Sequence, residues 1–397
     1  MAEETYIVLR SENPVVPETG ALGARMRSFT PELEALTVHK TTLTKAQRDD
    51  LRKDPRTRAI APPMPMKLIE PMAPEGSPAG DEGSDEIAWG VAAVAAHQSS
   101  LDGNGVTVAV LDTGIDPNHP AFDGLTLARR NFTQESEDDT HGHGTHCAGT
   151  IFGRAVDNKR IGVAPGVTHA LIGKVLGQGG GSSATIASAI DWAVQQGAHV
   201  VSMSLGIDFP GYVEYLVERK EIEIPAATSM ALEGYRANLN LFKELADYVL
   251  ARGGFAQGTV LIAASGNESR RPRYEIAVAP PASATGIIAV GALAKKGDGL
   301  HTADFSNTQV NVSAPGVGIE SAKAGGGLAF MSGTSMATPH AAGVAALYAQ
   351  HLIDHYGRVD AQTLRAQLIA GATMDPLAAN QREFEDVGSG IVQAPLA

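Results

Sequence analysis

Four short, mainly apolar runs in the middle of the chain constrain the fold more than any other feature of the sequence. They are residues 106–111, 200–205, 259–265 and 287–290, and a segment of helical composition, residues 183–196, lies between the first two. A strand that is apolar on both faces is typical of a parallel sheet covered by helices on each side. We therefore predict an α/β fold with a mainly parallel central sheet and helices on both faces.

The length of 397 residues exceeds what one hydrophobic core usually holds, so a second unit is expected. Residues 1–70 predict a small α+β domain, because extended runs at 6–9 and 57–60 flank a helical segment at 44–54. This domain would precede the large one.

Residues 71–86 contain three prolines, three glycines, five acidic residues and neither Lys nor Arg. Such a composition cannot bury enough apolar surface to order itself, which predicts an acidic flexible linker. Residues 87–397 then form the main domain. Within it, residues 229–252 repeat apolar side chains at helical spacing and are interpreted as a helix packed on the outer side of the sheet.

The charge and the cysteine content exclude several classes of protein. The 31 basic and 44 acidic residues give a net charge of −13, which disfavours a nucleic-acid partner. No apolar run approaches the roughly 18 to 20 residues of a membrane-spanning helix, so no membrane partner is expected. The single cysteine, Cys147, excludes an internal disulfide and a metal site with several thiolate ligands.

The first residues carry acids where a secretory signal has basic residues, and the apolar stretch after them is short. We therefore expect a cytoplasmic protein, while secretion after removal of a leader stays open. The initiating Met1 slightly favours the first interpretation.

Three segments place a reactive side chain at a strand end or a helix start. Asp112 follows an apolar run, His143 lies between two glycines, and Ser335 begins a long apolar helix. An aspartate at such a position often caps a turn, and a serine at a helix start is usually an N-cap. The three together, however, supply a nucleophile, a base and a carboxylate that orients the base.

A fourth residue completes this set. Asn267 ends the run AASGN and offers a side-chain amide to a developing oxyanion. The backbone N–H of Ser335, at the positive end of its helix, would be the second donor.

The segments VAVLDTGID, HGTHCAGT, SLG, AASGN and GTSMATPHAAG resemble the subtilisin-like serine protease family, the subtilases, over roughly residues 87–347. This resemblance implies a three-layer subtilisin-like fold and a serine endopeptidase that works through an acyl-enzyme and needs no cofactor for catalysis. Asp112, His143 and Ser335 would be the catalytic triad and Asn267 the oxyanion donor. Cys147 resembles the proteinase K branch, where a free thiol lies beneath the catalytic histidine.

The resemblance also implies how peptide or protein substrates bind. Two segments would hold an extended peptide as an added strand, namely Ser204, Leu205 and Gly206 and an unobstructed loop of Gly179, Gly180 and Gly181. Ala279 would form the pocket floor, which predicts a large hydrophobic residue before the cleaved bond. A long insert at about 208–258, or Arg270, Arg271 and Arg273, could reshape that pocket.

The first 70 residues resemble the family's inhibitory propeptide, so the chain is expected to be a self-processing zymogen with its own N-terminal domain as a partner. Cleavage is expected between residues 66 and 86, although Pro71 blocks the bond after Glu70 for most serine proteases. The family's calcium is poorly supported, because the loop 153–160 offers only Asp157 and Asn158 as side-chain oxygens.

Alternatives stay open. A subtilase-fold acyl transferase or peptide cyclase would keep the same site and use the insert as a lid. An inactive binding module is disfavoured because all four catalytic positions are intact. We interpret His146 as structural and His141 as solvated. We predict no metal site, since the pair of His141 and His143 lacks a third ligand and an H-E-x-x-H pattern.

Overall fold

A computed structural model describes residues 3–11, 36–71, 86–253 and 257–396. The predicted linker at 71–86 lies outside the described residues except at its two ends. Parts of the predicted domain 1–70 and three residues of the 208–258 segment lie outside them as well.

The N-terminal unit is an antiparallel sheet with one short helix. Its elements are β1 (Glu3–Ser11), β2 (Leu36–Thr44), α1 (Lys45–Leu51) and β3 (Thr57–Ala61), with the strand order β2-β1-β3. Alternate residues of β1 face opposite sides, as the pleat requires. Ile7 and Leu9 enter a hydrophobic cluster shared with the rest of the chain, while Tyr6 and Val8 pack on the other side. The unit is therefore docked by one face of its sheet.

The remaining elements carry the central sheet and its helices. In chain order they are β4 (Pro65–Leu68), α2 (Trp89–Ala93), β5 (Thr107–Asp112), β6 (Thr126–Asn131), α3 (His143–Phe152), β7 (His169–Lys174), β8 (Gly181–Ser182), α4 (Ser183–Gln195), β9 (Val200–Met203), β10 (Leu205–Ile207), α5 (Phe209–Glu218), α6 (Ile224–Arg252), β11 (Val260–Ala264), β12 (Ile287–Lys296), β13 (Gly299–Thr302), β14 (Val312–Pro315), β15 (Ile319–Ala322), β16 (Leu328–Met331), α7 (Thr334–Tyr356), α8 (Ala361–Ala370) and α9 (Phe384–Val387).

The central sheet has the order β13-β12-β11-β9-β5-β7-β6, with β14 also paired to β12. All its pairs are parallel except β12 with β13. Successive strand residues divide between two hydrophobic clusters, one containing α3 and α7 and the other containing α4 and α6. The prediction of a mainly parallel sheet with helices on both faces is confirmed.

The prediction of one strand at 200–205 is wrong. The strand breaks at Ser204: β9 stays in the central sheet, whereas β10 leaves it and pairs with β4. The apolar run continues through the break, because β9 is buried in the central sheet and β10 is buried beneath β4. The predicted helix at 229–252 begins earlier, at Ile224.

The long helix α6 also contacts the N-terminal unit. The buried side-chain amide of Asn238 donates a hydrogen bond of 2.8 Å to the carbonyl of Pro62. A Cβ atom on Gly234 would lie 3.3 Å from the sulfur of Met64, so the chain passes close to the helix there. None of the described helices is both long and apolar enough to cross a membrane.

We expect Asn238→Ala to loosen the segment that joins β3 to β4, because the hydrogen bond to Pro62 contributes roughly 1 kcal/mol. Hydrogen exchange of the intact chain, followed by mass spectrometry, should show faster exchange in residues 57–66. Asn240→Ala is the matched control, since Asn240 lies on the exposed side of the same helix. Equal exchange in the two variants would contradict the prediction.

Candidate active site

Two elements meet at the carboxyl edge of the central sheet. Asp112 is the last residue of β5, and His143 is the first residue of α3. A Cβ on Gly144 would lie 2.2 Å from the carbonyl oxygen of Gly114, so only glycine lets the first turn of α3 approach the loop after β5 this closely. This close approach brings the two side chains together.

The Asp112 and His143 side chains form a buried pair. His143 Nδ1 lies 2.7 Å from Asp112 Oδ1, and the two side chains are 0% and 1% exposed. Burial alone would lower the pKa of His143, but the adjacent Asp112 carboxylate outweighs it and raises that pKa well above 6.5. His143 Nε2 has no hydrogen-bond partner among the described residues. The Nε2 nitrogen is therefore available to accept or donate a proton.

A second carboxylate, which the sequence analysis missed, holds the surrounding loop. Asp139 accepts hydrogen bonds from the hydroxyl of Thr113, the backbone N–H of Gly142 and the backbone N–H of Thr145, at 2.8–2.9 Å. Burial raises its pKa, and these hydrogen bonds lower it by more. Asp139 thus ties the loop after β5 to the start of α3. Its position four residues before His143 was the available signal.

Ser335 is the second residue of α7, and it is completely buried. Its hydroxyl donates a hydrogen bond of 2.9 Å to the carbonyl oxygen of Ile69. The sulfur of Cys147 lies between this segment and the histidine, 3.4 Å from the Ser335 carbonyl oxygen and 3.7 Å from His143 Nδ1. All the reactive groups therefore border one cleft.

Asn267 is oriented by the same helix. Its Oδ1 accepts hydrogen bonds from the backbone N–H and the hydroxyl of Thr334, both at 2.9 Å. The amide must then point its Nδ2 away from α7, where it donates to the carbonyl oxygen of Glu70 at 2.9 Å. A Cβ on Gly333 would lie 2.9 Å from Nδ2, so glycine there leaves room for the amide.

The cleft is filled by the chain's own strand β4. It is the central strand of a small antiparallel sheet, in which Leu68 pairs with Leu205, Lys67 with Gly206, and Met66 with Gly181. The two glycine-containing segments predicted to hold an extended peptide thus do hold one. The loop of Gly179, Gly180 and Gly181 is open enough for β4 to lie against it.

The other predicted substrate-binding residues have different positions. Ser204 makes no strand pair, and its hydroxyl donates to the Ser335 carbonyl oxygen at 3.1 Å. Gly180 lies against the carbonyl oxygen of Met66, whereas no contact of this kind is found at Gly179. Ala279 precedes Pro280, whose carbonyl oxygen accepts from the Ile207 N–H of β10.

The side chain of Ile69 is buried, with 3% of its area exposed, and it lies beside Gly206. The side chain of Glu70 is 71% exposed. Ile69 is therefore buried against β10, and Glu70 points outward.

The neighbouring histidines and arginines have distinct roles. His146 is buried with its Nε2 near two backbone carbonyl oxygens, and burial lowers its pKa to about 3. His141 is exposed beside the Glu70 carboxylate, at 3.8 Å.

Arg270 donates to the carbonyl oxygen of Asn267, whereas Arg271 pairs with Asp386 and is directed away from the cleft. Arg273 is exposed.

The loop at 153–160 does not fit calcium. The Arg160 guanidinium donates to the carbonyl oxygens of Ala96, Gly162 and Val163, and the Lys159 ammonium pairs with Glu320. Two cationic side chains therefore lie in this loop, which disfavours a calcium ion there.

Comparison with known proteins places these residues in context. A model of the subtilase family matches residues 103–390, a span that includes Asp112, His143, Asn267 and Ser335. A thermostable alkaline protease of Halalkalibacterium halodurans is 32% identical over 323 residues, which are 80% of this chain and 73% of that protein. Subtilisin Savinase of Lederbergia lenta is 34% identical over 67% of this chain and 86% of its own length. An intracellular serine protease of Paenibacillus polymyxa is 34% identical over 62% of this chain and 68% of its own.

We expect the imidazole of His143 to stay protonated at pH values where a free histidine is neutral, because its pKa is raised by Asp112. Asp112→Asn removes that charge and should move the titration to lower pH. Nitrogen NMR of the intact, histidine-labelled chain would measure both. His146 is the internal reference, since it should remain neutral until the pH approaches about 3. Titration of His143 at or below pH 6.5, or no shift in the variant, would contradict this.

Proposed function

The chain belongs to the subtilase family and is a subtilisin-like serine endopeptidase, and from that premise we propose which of its residues perform the hydrolysis. Ser335 attacks the peptide carbonyl and forms an acyl-enzyme, which water then releases. His143 takes the proton from Ser335 and passes it to the leaving amine. The proposal is carried by one observation: the Ser335 hydroxyl and the Asn267 amide both donate to carbonyl oxygens of the two residues that follow strand β4 in the cleft.

The electrostatics of the pair support these roles. Asp112 accepts from His143 Nδ1, which leaves Nε2 as the nitrogen that exchanges a proton with Ser335. The same carboxylate stabilises the imidazolium that forms during attack. A base must be neutral to accept a proton, so hydrolysis is expected to increase as the pH rises through the raised pKa of His143.

Asn267 acts on the charge that develops at the attacked carbonyl oxygen. Its amide is held by Thr334 before any substrate arrives, so no reorganisation is needed during the reaction. The backbone N–H of Ser335, at the start of α7, is the second donor.

We further propose that the chain is a zymogen, with residues 1–70 as the inhibitor domain. The tail of that unit, residues 62–70, runs through the cleft, and its strand β4 is paired there in the position a substrate would take. The two active-site donors bind consecutive carbonyls, because Ser335 donates to Ile69 and Asn267 to Glu70. Attack requires both groups at one carbonyl. The tail therefore blocks the cleft without presenting a bond for rapid attack.

Slow release of the tail then follows from a small rearrangement. The Ile69–Glu70 bond needs only its carbonyl oxygen to move from Ser335 toward Asn267. The next bond has proline as its amine partner, so it is a poorer substrate. Cleavage within the range 66–86 is therefore proposed to begin at Ile69, although residues 72–85 lie outside the described part of the chain.

The preference for a large hydrophobic residue before the cleaved bond is also a proposal. Ile69 buries its apolar side chain beside Gly206 and lies next to the carbonyl held by Ser335. Burial of such a side chain contributes roughly 1.5–3 kcal/mol. A small floor residue, Ala279, would leave room for a larger side chain.

Neither alternative function gains support. An acyl transferase needs a lid that excludes water from Ser335, whereas the 208–258 segment packs on the central sheet and contacts the N-terminal tail at Pro62, Met64 and Lys67. An inactive module would not need the buried Asp112–His143 pair. Cytoplasmic localisation stays a prediction from the sequence.

We expect the wild-type chain to shorten with time and Ser335→Ala to remain at full length, because the variant lacks the attacking oxygen. Intact-mass measurement gives the products, and incubation with a chromogenic peptide gives their activity. Adding wild-type enzyme to Ser335→Ala tests whether the variant can still be cut by another molecule. Identical shortening of both proteins when purified alone would show that a different protease does the cutting.

We expect a mercury(II) salt to inhibit the processed enzyme, and Cys147→Ala to remain active and insensitive. The ligand atoms of Cys147, Asp112 and His143 lie within 4.8 Å of one another, so a metal bound to the sulfur disturbs the base. Burial raises the pKa of the thiol, so inhibition should be faster at higher pH. The chain has one cysteine, so inhibition that persists in the variant would contradict the contact.

A further inference from the structure

The ammonium group of Lys67, in the strand that fills the cleft, lies between two carboxylates. Its Nζ is 3.2 Å from Asp208 Oδ1 and 3.4 Å from Glu268 Oε1. All three side chains are between 29% and 39% exposed, so they are partly shielded from water. The cleft thus contains a site for a cation beside its backbone-binding strands.

Both carboxylates are held by the fold as well as by Lys67. Asp208 is the N-cap of α5 and accepts from the backbone N–H of Gly211 at 3.1 Å. Glu268 Oε2 accepts from the side-chain amide of Asn307 at 2.7 Å. Each carboxylate therefore has a fixed position before a cation arrives, which lowers the entropy cost of binding one.

The strand register defines which substrate residue would reach this pair. Ile69 presents its carbonyl to Ser335 and is the first residue before the bond, which makes Leu68 the second and Lys67 the third. Met66 and Leu68 are buried, whereas Lys67 points to the opposite side of the strand. Alternation along an extended peptide repeats this arrangement for any substrate.

We propose that Asp208 and Glu268 determine specificity for substrates with Lys or Arg three residues before the cleaved bond. This inference rests on the proposed function, since it takes the tail as a substrate-like strand. Asp208 is the first residue of the 208–258 segment, and Glu268 directly follows the oxyanion donor Asn267. The two carboxylates therefore come from different parts of the cleft wall. Backbone pairing tolerates many sequences, and this pair adds a side-chain requirement to it.

The size of the effect follows from the exposure of the groups. Partly exposed ion pairs are individually weak, so two of them are expected to favour Lys over an uncharged side chain of similar length by about five- to twentyfold in kcat/KM. Salt screens such pairs, so the preference should shrink at high ionic strength.

The test uses the full chain, expressed and left to process itself. Four quenched fluorescent peptides share a large apolar residue before the cleaved bond and differ only at the third position, which is Lys, Arg, norleucine or Glu. The variants are Asp208→Asn, which keeps a capping side chain, Glu268→Gln, which keeps an acceptor for Asn307, and the double variant. Glu218→Gln is the matched control, an exposed carboxylate of α5.

We expect the Lys-to-norleucine ratio to fall partly in each single variant and to about one in the double variant, with the norleucine peptide still cleaved. The control should keep the wild-type ratio. Equal cleavage of the Lys and norleucine peptides by the wild type, or an unchanged ratio in the double variant, would overturn the specificity proposal while leaving the proposed function intact. Failure of the processed wild type to cleave any of the peptides would overturn both.

Discussion

The hydrogen bond between Asp112 and His143 is the interaction on which the site depends. Burying a carboxylate and an imidazole costs desolvation free energy. The hydrogen bond of 2.7 Å between the two groups offsets part of that cost. The pair forms only because Gly144 lets α3 approach the loop after β5. Asp139 holds the same two segments from the other side. The position of the base is thus set by backbone contacts as well as by the pair itself.

The strand in the cleft is bound by backbone pairing, the mode of binding proposed here for both inhibitor and substrate. β4 pairs with β10 and β8 through backbone hydrogen bonds that any extended peptide could make. The donors Ser335 and Asn267 contact neighbouring carbonyls, so in the proposed zymogen an offset of one residue would separate an inhibiting tail from a substrate. The N-terminal sheet fixes this offset, because its buried face and the contact of Asn238 with Pro62 anchor the strand at its start.

The 208–258 segment is more than a covering layer of the sheet. Helical periodicity correctly indicated α6, since its apolar side chains face the central sheet. Two of the segment's polar residues also contact the N-terminal tail: Asn238 binds the carbonyl of Pro62, and Asp208 binds the ammonium of Lys67. No spacing within the segment itself indicates such a partner.

Sequence patterns alone were enough to predict the fold class, and they singled out the four residues that are proposed here as the reacting groups. Buried strands need continuous apolar runs, and close backbone approaches need glycine, so both leave local signals at Asp112, His143, Asn267 and Ser335. Three features became visible only in the folded chain: the strand breaks at Ser204, Asp139 braces the loop, and Lys67 meets Asp208, 141 residues further along the chain. These features depend on which surfaces meet after folding. A hydrogen bond or an ion pair between distant residues leaves no periodicity in either segment, so no pattern within one segment could have predicted it.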